Sequence, residues 1–176
     1  MSAFIAIDFE TSGCKRFYAC SVGMVRIEDG RLAKSFQTLI RPPSSQVLFT
    51  EVHGLTWSML RTAPTFPEVW PSMLKFIEGA DGFVAHNAPF DRSVLSACCE
   101  AFGCKAPELP FFCTLKGARA GLKLPAYTLD VLCRYYHVPL NHHEALSDAK
   151  GCAAVFVRLA EQGVPLKSMQ LGKPRR

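Results

Sequence analysis

The chain has 176 residues, 49% hydrophobic and 20% charged, which suits one well-packed domain and excludes wholesale disorder. No apolar run reaches the ~20 residues of a membrane-spanning helix. The net charge of +5 hints at an anionic partner, but Lys167, Lys173, Arg175 and Arg176 carry four of those charges and no acid follows Glu161. The charge therefore reads as a basic tail over residues 164–176 behind a domain of residues 1–163, able to touch phosphates or stay solvated. Met1 to Ile7 is apolar without a basic leader or a small-residue cleavage site and runs into Asp8, so it reads as a strand and not a signal peptide; a cytoplasmic protein is expected. Eight cysteines without a Cys-x-x-Cys pair are expected to be free thiols, several behaving as small buried hydrophobes.

In chain order, residues 3–9 predict a buried strand bounded by Thr11-Ser12-Gly13. Two further strands follow at 19–28 and 32–40, joined by the hairpin signal Glu28-Asp29-Gly30-Arg31. Pro42 to Ser45 is a loop, 48–79 holds short helical pieces with a helix at 67–78, and 82–86 is a short strand. Val94, Leu95, Cys98, Ala101 and Phe102 recur at the helical period over 89–103, with Pro89 at the start and Gly103 at the stop. Shorter helices are expected at 114–121 and 128–137. Ala145, Ala149, Cys152, Ala153, Phe156, Leu159 and Ala160 form one apolar stripe over 145–161, ended by Gly163-Val164-Pro165. Hairpins first and helices later indicate an α/β fold, a mixed central sheet flanked by helices.

Four carboxylates stand out on this frame. Asp8 and Glu10 are two apart in a strand and project from one face, with Ile5, Ile7 and Phe9 on the other. Two adjacent anions at the end of an apolar strand repel and lose hydration, a cost that a divalent cation relieves; the plainer alternative is a strand end fraying into solvent. Asp91 falls on the core-facing side of the first turn of its helix, where the dipole favours an acid. Asp148 sits at the start of the last helix. His143, five residues earlier, can converge on it only from a loop or first turn, since a continuous helix would set them about 140° apart. Oxygen donors without cysteine select hard cations such as Mg²⁺ or Mn²⁺. Two such ions clamp in-line displacement at phosphorus, and imidazole is a suitable base for an attacking water. The constellation points to phosphodiester hydrolysis.

The segments that carry these residues are Ile7-Asp8-Phe9-Glu10-Thr11-Ser12-Gly13, Val52-His53-Gly54-Leu55-Thr56, Ala85-His86-Asn87-Ala88-Pro89-Phe90-Asp91 and His143-Glu144-Ala145-Leu146-Ser147-Asp148-Ala149. In this order the chain resembles the DEDDh 3′→5′ exonucleases, the group that includes the proofreading epsilon subunit of bacterial DNA polymerase III and its stand-alone relatives. The resemblance covers residues 7–149 and implies a ribonuclease-H-like fold. By it, Asp8, Glu10, Asp91 and Asp148 match the acids that hold two divalent cations, Mg²⁺ or Mn²⁺. His143, rather than His142, matches the general base by its spacing to Asp148. Thr11 and the backbone of Ser12-Gly13 match the cradle of the terminal nucleotide, and His53 and Asn87 fall near substrate. His86 is expected to be structural, and Phe90 to pack in the core or stack on a base.

The implied reaction releases nucleoside 5′-monophosphates from single-stranded nucleic acid 3′ ends, DNA favoured and RNA possible, with no membrane partner. The expected departures are Thr11-Ser12-Gly13, a mild variant of the family's motif, and a poor sliding-clamp match at Gln170-Leu171-Gly172-Lys173-Pro174. With no long polymerase-binding extension expected beyond residue 163, the poor clamp match favours a free-standing exonuclease over a dedicated proofreading subunit, leaving polymerase or clamp association open. An RNA exonuclease or oligoribonuclease, and a non-catalytic nucleic-acid-binding module, are the alternatives.

Overall fold

A computed structural model describes residues 2–172. Five strands form one mixed sheet in the order β3-β2-β1-β4-β5. The antiparallel meander β1 (Ala3–Thr11), β2 (Ala19–Glu28) and β3 (Arg31–Leu39) makes one side. On the other side β4 (Gly82–Ala85) lies parallel to β1, and β5 (Phe111–Cys113) parallel to β4. Two short helices, α1 (Thr50–His53) and α2 (Trp57–Leu60), precede α3 (Phe66–Ile77). The remaining helices are α4 (Pro89–Ala101), α5 (Thr114–Gly121), α6 (Leu129–Tyr135), α7 (Ala145–Glu161) and α8 (Leu166–Met169).

The alternation along β1 divides the core. Ile5, Ile7 and Phe9 pack with Trp70 and Met73 of α3 and Val94 and Cys98 of α4. Phe4 and Ala6 point to the other layer, against Cys152 and Phe156 of α7 and Leu132 of α6. Each large side chain so buried stabilises the fold by roughly 1.5–3 kcal/mol. Asp8 and Glu10 continue the Phe4–Ala6 row, on the α7 side, to the end of the strand. There the β1–β2 register slips between Glu10 and Thr11, an irregularity of the kind that ends pairing and re-aims side chains.

Gly23 on β2 sets the height of α7. It lies opposite Asp8, and a methyl group there would overlap the Ala145 carbonyl and the Leu146 amide nitrogen. Only glycine lets the start of α7 rest on the sheet, which brings Asp148 down to Asp8.

Two elements differ from expectation. Strand β5 is three residues long and too short to show a period. The segment from residue 164, expected to begin a basic tail, instead packs on the domain. Met169 of α8 is fully buried in contact distance of Gly117, Gln170 bridges Phe112, and the Leu171 N–H donates to the Phe111 carbonyl at 2.8 Å. Arg92 and Lys116 hold the Gly172 and Gln170 carbonyls, so this segment covers the outer edge of β5. Lys173, Pro174, Arg175 and Arg176 lie outside the described residues. All eight cysteines are free thiols, most of them buried.

Candidate active site

Asp91 is placed by a gap in the sheet. Strand β4 ends at Ala85 and pairs with β1 only as far as Ala6, which leaves the Phe9 N–H without a strand partner. Asn87 turns the chain in a left-handed conformation, φ 60°, that asparagine tolerates well. Pro89 then starts α4, and Asp91 in its first turn accepts the Phe9 N–H at 3.0 Å while 2% exposed. The carboxylate thus both closes the sheet and stands close enough to Asp8 to repel its charge.

Asp148 is 3% exposed in the first turn of α7. The His143 N–H donates to its Oδ2 at 2.9 Å, and the His142 Nδ1 lies 3.0 and 3.1 Å from its two oxygens. Both histidines precede α7, as convergence requires, and His143 is left-handed with φ 69°. The two rings stack, centroids 3.9 Å apart and 18° from parallel. The ring on Asp148 is that of His142; His143 is exposed at the mouth of the cleft with its amide on the carboxylate.

Asp8, Glu10 and Asp148 offer ligand atoms all within 4.8 Å of one another. Asp91 stands beside Asp8 and raises its pKa without joining that group. Burial, then repulsion from Asp91, Asp148 and Glu10, pushes Asp8 well above the carboxylate range. Burial and Asp148 push Glu10 up to about 7, partly opposed by His142. Burial pushes Asp91 up to about 8 against the Phe9 hydrogen bond. Crowded, desolvated carboxylates of this kind resist ionising together. An all-oxygen donor set that carries this repulsion fits hard divalent cations.

Two hollows meet at this cluster. The larger, about 760 Å³, holds Asp8, Glu10 and Asp148 with Asn87, His142 and His143, and runs to Arg119 and Tyr127. The smaller, about 410 Å³, lies across Glu10 and Phe90 and is lined by Thr11, Gly13, Phe49, Val52 and His53. The His53 Nδ1 accepts the Leu55 N–H at 3.0 Å, so its Nε2 carries the proton. That Nε2 is buried without a hydrogen-bond partner among the described residues, and an orphaned donor at a pocket wall suits a ligand acceptor.

Ser12 departs from the expected cradle. It is fully buried, with its N–H and Oγ on the Tyr18 carbonyl at 2.8 and 3.3 Å and its own carbonyl on the Leu48 N–H. Its backbone is spent on fixing the loop, so Thr11 and Gly13 alone of that trio face the hollow. His86 is hydrogen-bonded, Nδ1 to Thr114 Oγ1 at 2.9 Å, and burial lowers its pKa to about 4; it also lines the larger hollow. Phe90 is half-buried between the hollows under the Arg16 guanidinium, 4.5 Å from its centroid. Sequence reasoning missed Phe49, Arg16, Arg119 and Tyr127, which carry no motif and reach the site only through the fold.

The mixed sheet, with acids brought together from one strand end and two helix starts, has the ribonuclease-H-like fold. The exonuclease family of the RNase T type matches residues 5–156, and the chain belongs to it. It is 34% identical over 165 residues to the PolC-type DNA polymerase III of Thermotoga petrophila, across 91% of this chain and 12% of that protein. It is 30% identical over 169 residues to the DNA polymerase III epsilon subunit of Aquifex aeolicus, across 90% and 81%. The chain therefore spans only about an eighth of its PolC-type relatives. Exonuclease X in complex with 5′ overhanging duplex DNA superposes with a TM-score of 0.74 at 24% identity, covering 96% of this chain and 97% of that one. The nuclease domain of 3′hExo, a DEDDh family member bound to rAMP, gives 0.79 at 18%, covering 93% and 94%. At those identities the likeness is one of fold.

Proposed function

We propose that the chain removes nucleotides one at a time from the 3′ ends of single-stranded nucleic acid, DNA before RNA, releasing nucleoside 5′-monophosphates. The observation that carries this reading is the position of the Asp8–Glu10–Asp148 cluster between a small hollow and a longer cleft. A terminal nucleotide fits the small hollow, against Thr11, Gly13 and the His53 Nε2–H, while the rest of the strand follows the cleft towards Arg119. The scissile phosphate then falls over the acids. Two divalent cations held by Asp8, Glu10, Asp91 and Asp148 would supply charge neutralisation at phosphorus and an activated water. His143, exposed and adjacent to Asp148, would take the proton of that water. Phe49, Val52 and Phe90 provide apolar walls against which a base can rest.

DNA is favoured because the curated relatives are named as parts of DNA polymerase III; the rAMP carried by a structural neighbour keeps RNA as the second reading. Proofreading beside a polymerase is a further proposal from the same names. Incubation with 3′- and 5′-labelled single-stranded DNA, duplex DNA and RNA, with Mg²⁺, Mn²⁺ or EDTA, tests polarity, substrate and metal dependence together. Mononucleotide release from the 3′ label that EDTA abolishes is expected. Internal cleavage, or release from the 5′ end, overturns the proposal.

A further inference from the structure

We propose that His142 is a positioning residue for the hydrolytic step, holding the Asp148 carboxylate by a hydrogen bond and the His143 imidazole by ring stacking. This rests on the functional reading above. Asp148 is gripped on two sides, by the His142 Nδ1 and by the His143 amide. A carboxylate oxygen has more than one acceptor direction, so this grip leaves room for a cation on the side facing Asp8 and Glu10. It does fix which way the carboxylate is turned.

His143 has the opposite problem. It is exposed, and its imidazole forms no side-chain hydrogen bond among the described residues, so little but its neighbour restrains it. The face-to-face contact with His142 supplies that restraint, and His142 is itself anchored on Asp148. The order of support runs from a buried acid on a long helix, through one imidazole, to a second at the cleft mouth. The left-handed backbone of His143 makes this possible: it turns the amide onto Asp148 and lets adjacent side chains lie parallel. The Asn141 N–H on Ser147 Oγ at 2.7 Å pins the same loop from its other end. Groups that orient a metal-binding or catalytic side chain typically change activity or metal affinity by about 10- to 100-fold when removed.

Three substitutions separate the two contacts. His142→Phe keeps the stack and loses the hydrogen bond, His142→Asn keeps a donor and loses the stack, and His142→Ala loses both. On a labelled oligonucleotide, His142→Ala is expected to lower kcat about 10- to 100-fold with KM within about twofold, and each of the other two to recover part of it. Calorimetric titration with Mn²⁺ is expected to weaken in the Ala and Phe variants and to stay near wild type in Asn. The ring protons of His143 in NMR should be shifted upfield in wild type and the Phe variant only. Wild-type kcat and Mn²⁺ affinity in a folded Ala variant overturn the proposal. So does equal loss of Mn²⁺ binding in all three variants, which would make His142 a direct ligand. If the wild-type protein degrades no nucleic acid, the functional reading fails, while the Mn²⁺ and NMR results still decide the role of His142.

Discussion

The Phe9 amide and the Asp91 carboxylate, 3.0 Å apart, join the end of the central strand to the first turn of α4. One acid therefore does two jobs, closing the sheet where β4 stops and standing beside Asp8 at the edge of the acid cluster. Substitution separates them. Asp91→Asn keeps an acceptor for Phe9 and removes the charge, so its melting temperature at neutral pH should match or exceed wild type while hydrolysis is lost. Asp91→Ala leaves a buried donor unpaired and should cost about 1–3 kcal/mol by urea denaturation. Equal stability of the two variants would show that the hydrogen bond contributes nothing.

Gly23 connects the sheet to the site by closeness alone. A methyl group at this position would overlap the backbone of Ala145 and Leu146, and a backbone cannot step aside as a side chain can. Gly23→Ala should lower stability by roughly 1–3 kcal/mol and lift the start of α7, moving Asp148 away from Asp8 and weakening Mn²⁺ binding. Gly172→Ala, where added bulk meets nothing, is the control and should be silent. Normal Mn²⁺ affinity in a folded Gly23→Ala protein would show that α7 settles without this contact.

Much of this arrangement was legible in the sequence because it depends on period. Alternation placed Asp8 and Glu10 opposite Ile5, Ile7 and Phe9, and the apolar stripe of α7 placed Asp148 at its start. The illegible parts depend on contacts between distant segments. Strand β5 has three residues and no period to read. Met169 falls within the expected basic tail because one buried residue in a four-residue helix leaves no pattern. Ser12 looked available for a nucleotide because its bonds to Tyr18 and Leu48 exist only once the loop is folded. His142 and His143 are chemically identical neighbours, and only backbone conformation assigns the ring on Asp148 to the first.

The crowded carboxylates make stability depend on pH and metal together. Glu10 is raised from 4.5 to about 7, and Asp91 to about 8. A carboxyl raised in the folded state contributes stability that is fully present below its unfolded pKa and is lost as pH rises through the folded value. Metal-free protein should therefore lose stability from pH 3.8, where unfolded Asp91 begins to ionise, to about pH 8, on account of these groups. A divalent cation held at the proposed site would favour the ionised forms and offset the loss. Melting with and without Mn²⁺ should show a larger upward shift near pH 8 than near pH 5. A shift of the same size at both would mean that these acids do not govern binding.

Asp8 and His143 should fail in different ways. Asp8→Ala removes a donor from the cluster at its centre, so hydrolysis should be abolished and Mn²⁺ affinity should drop, with the fold intact or stabilised by relief of repulsion. His143→Ala should lower the rate by roughly 10²–10⁴ and leave Mn²⁺ binding largely unchanged. Full activity in a folded Asp8→Ala protein would remove the basis for placing the reaction at this cluster.

Arg119 sits exposed on α5 along the larger cleft and makes no ion pair among the described residues. On the proposed path of the strand, this unpaired guanidinium would lie beyond the scissile phosphate. A guanidinium can grip a phosphate with two parallel hydrogen bonds, which an ammonium cannot. Arg119→Ala should raise KM for oligonucleotides of every sequence, with kcat at saturation little changed, because a phosphate contact positions without reading bases. The salt dependence is the sharper measure. Losing one phosphate contact should flatten the slope of log(kcat/KM) against log[NaCl] by about 0.7 for a single strand. Arg119→Lys should keep the slope and recover only part of the affinity. A slope identical to wild type in the alanine variant would place the strand on another path out of the cleft.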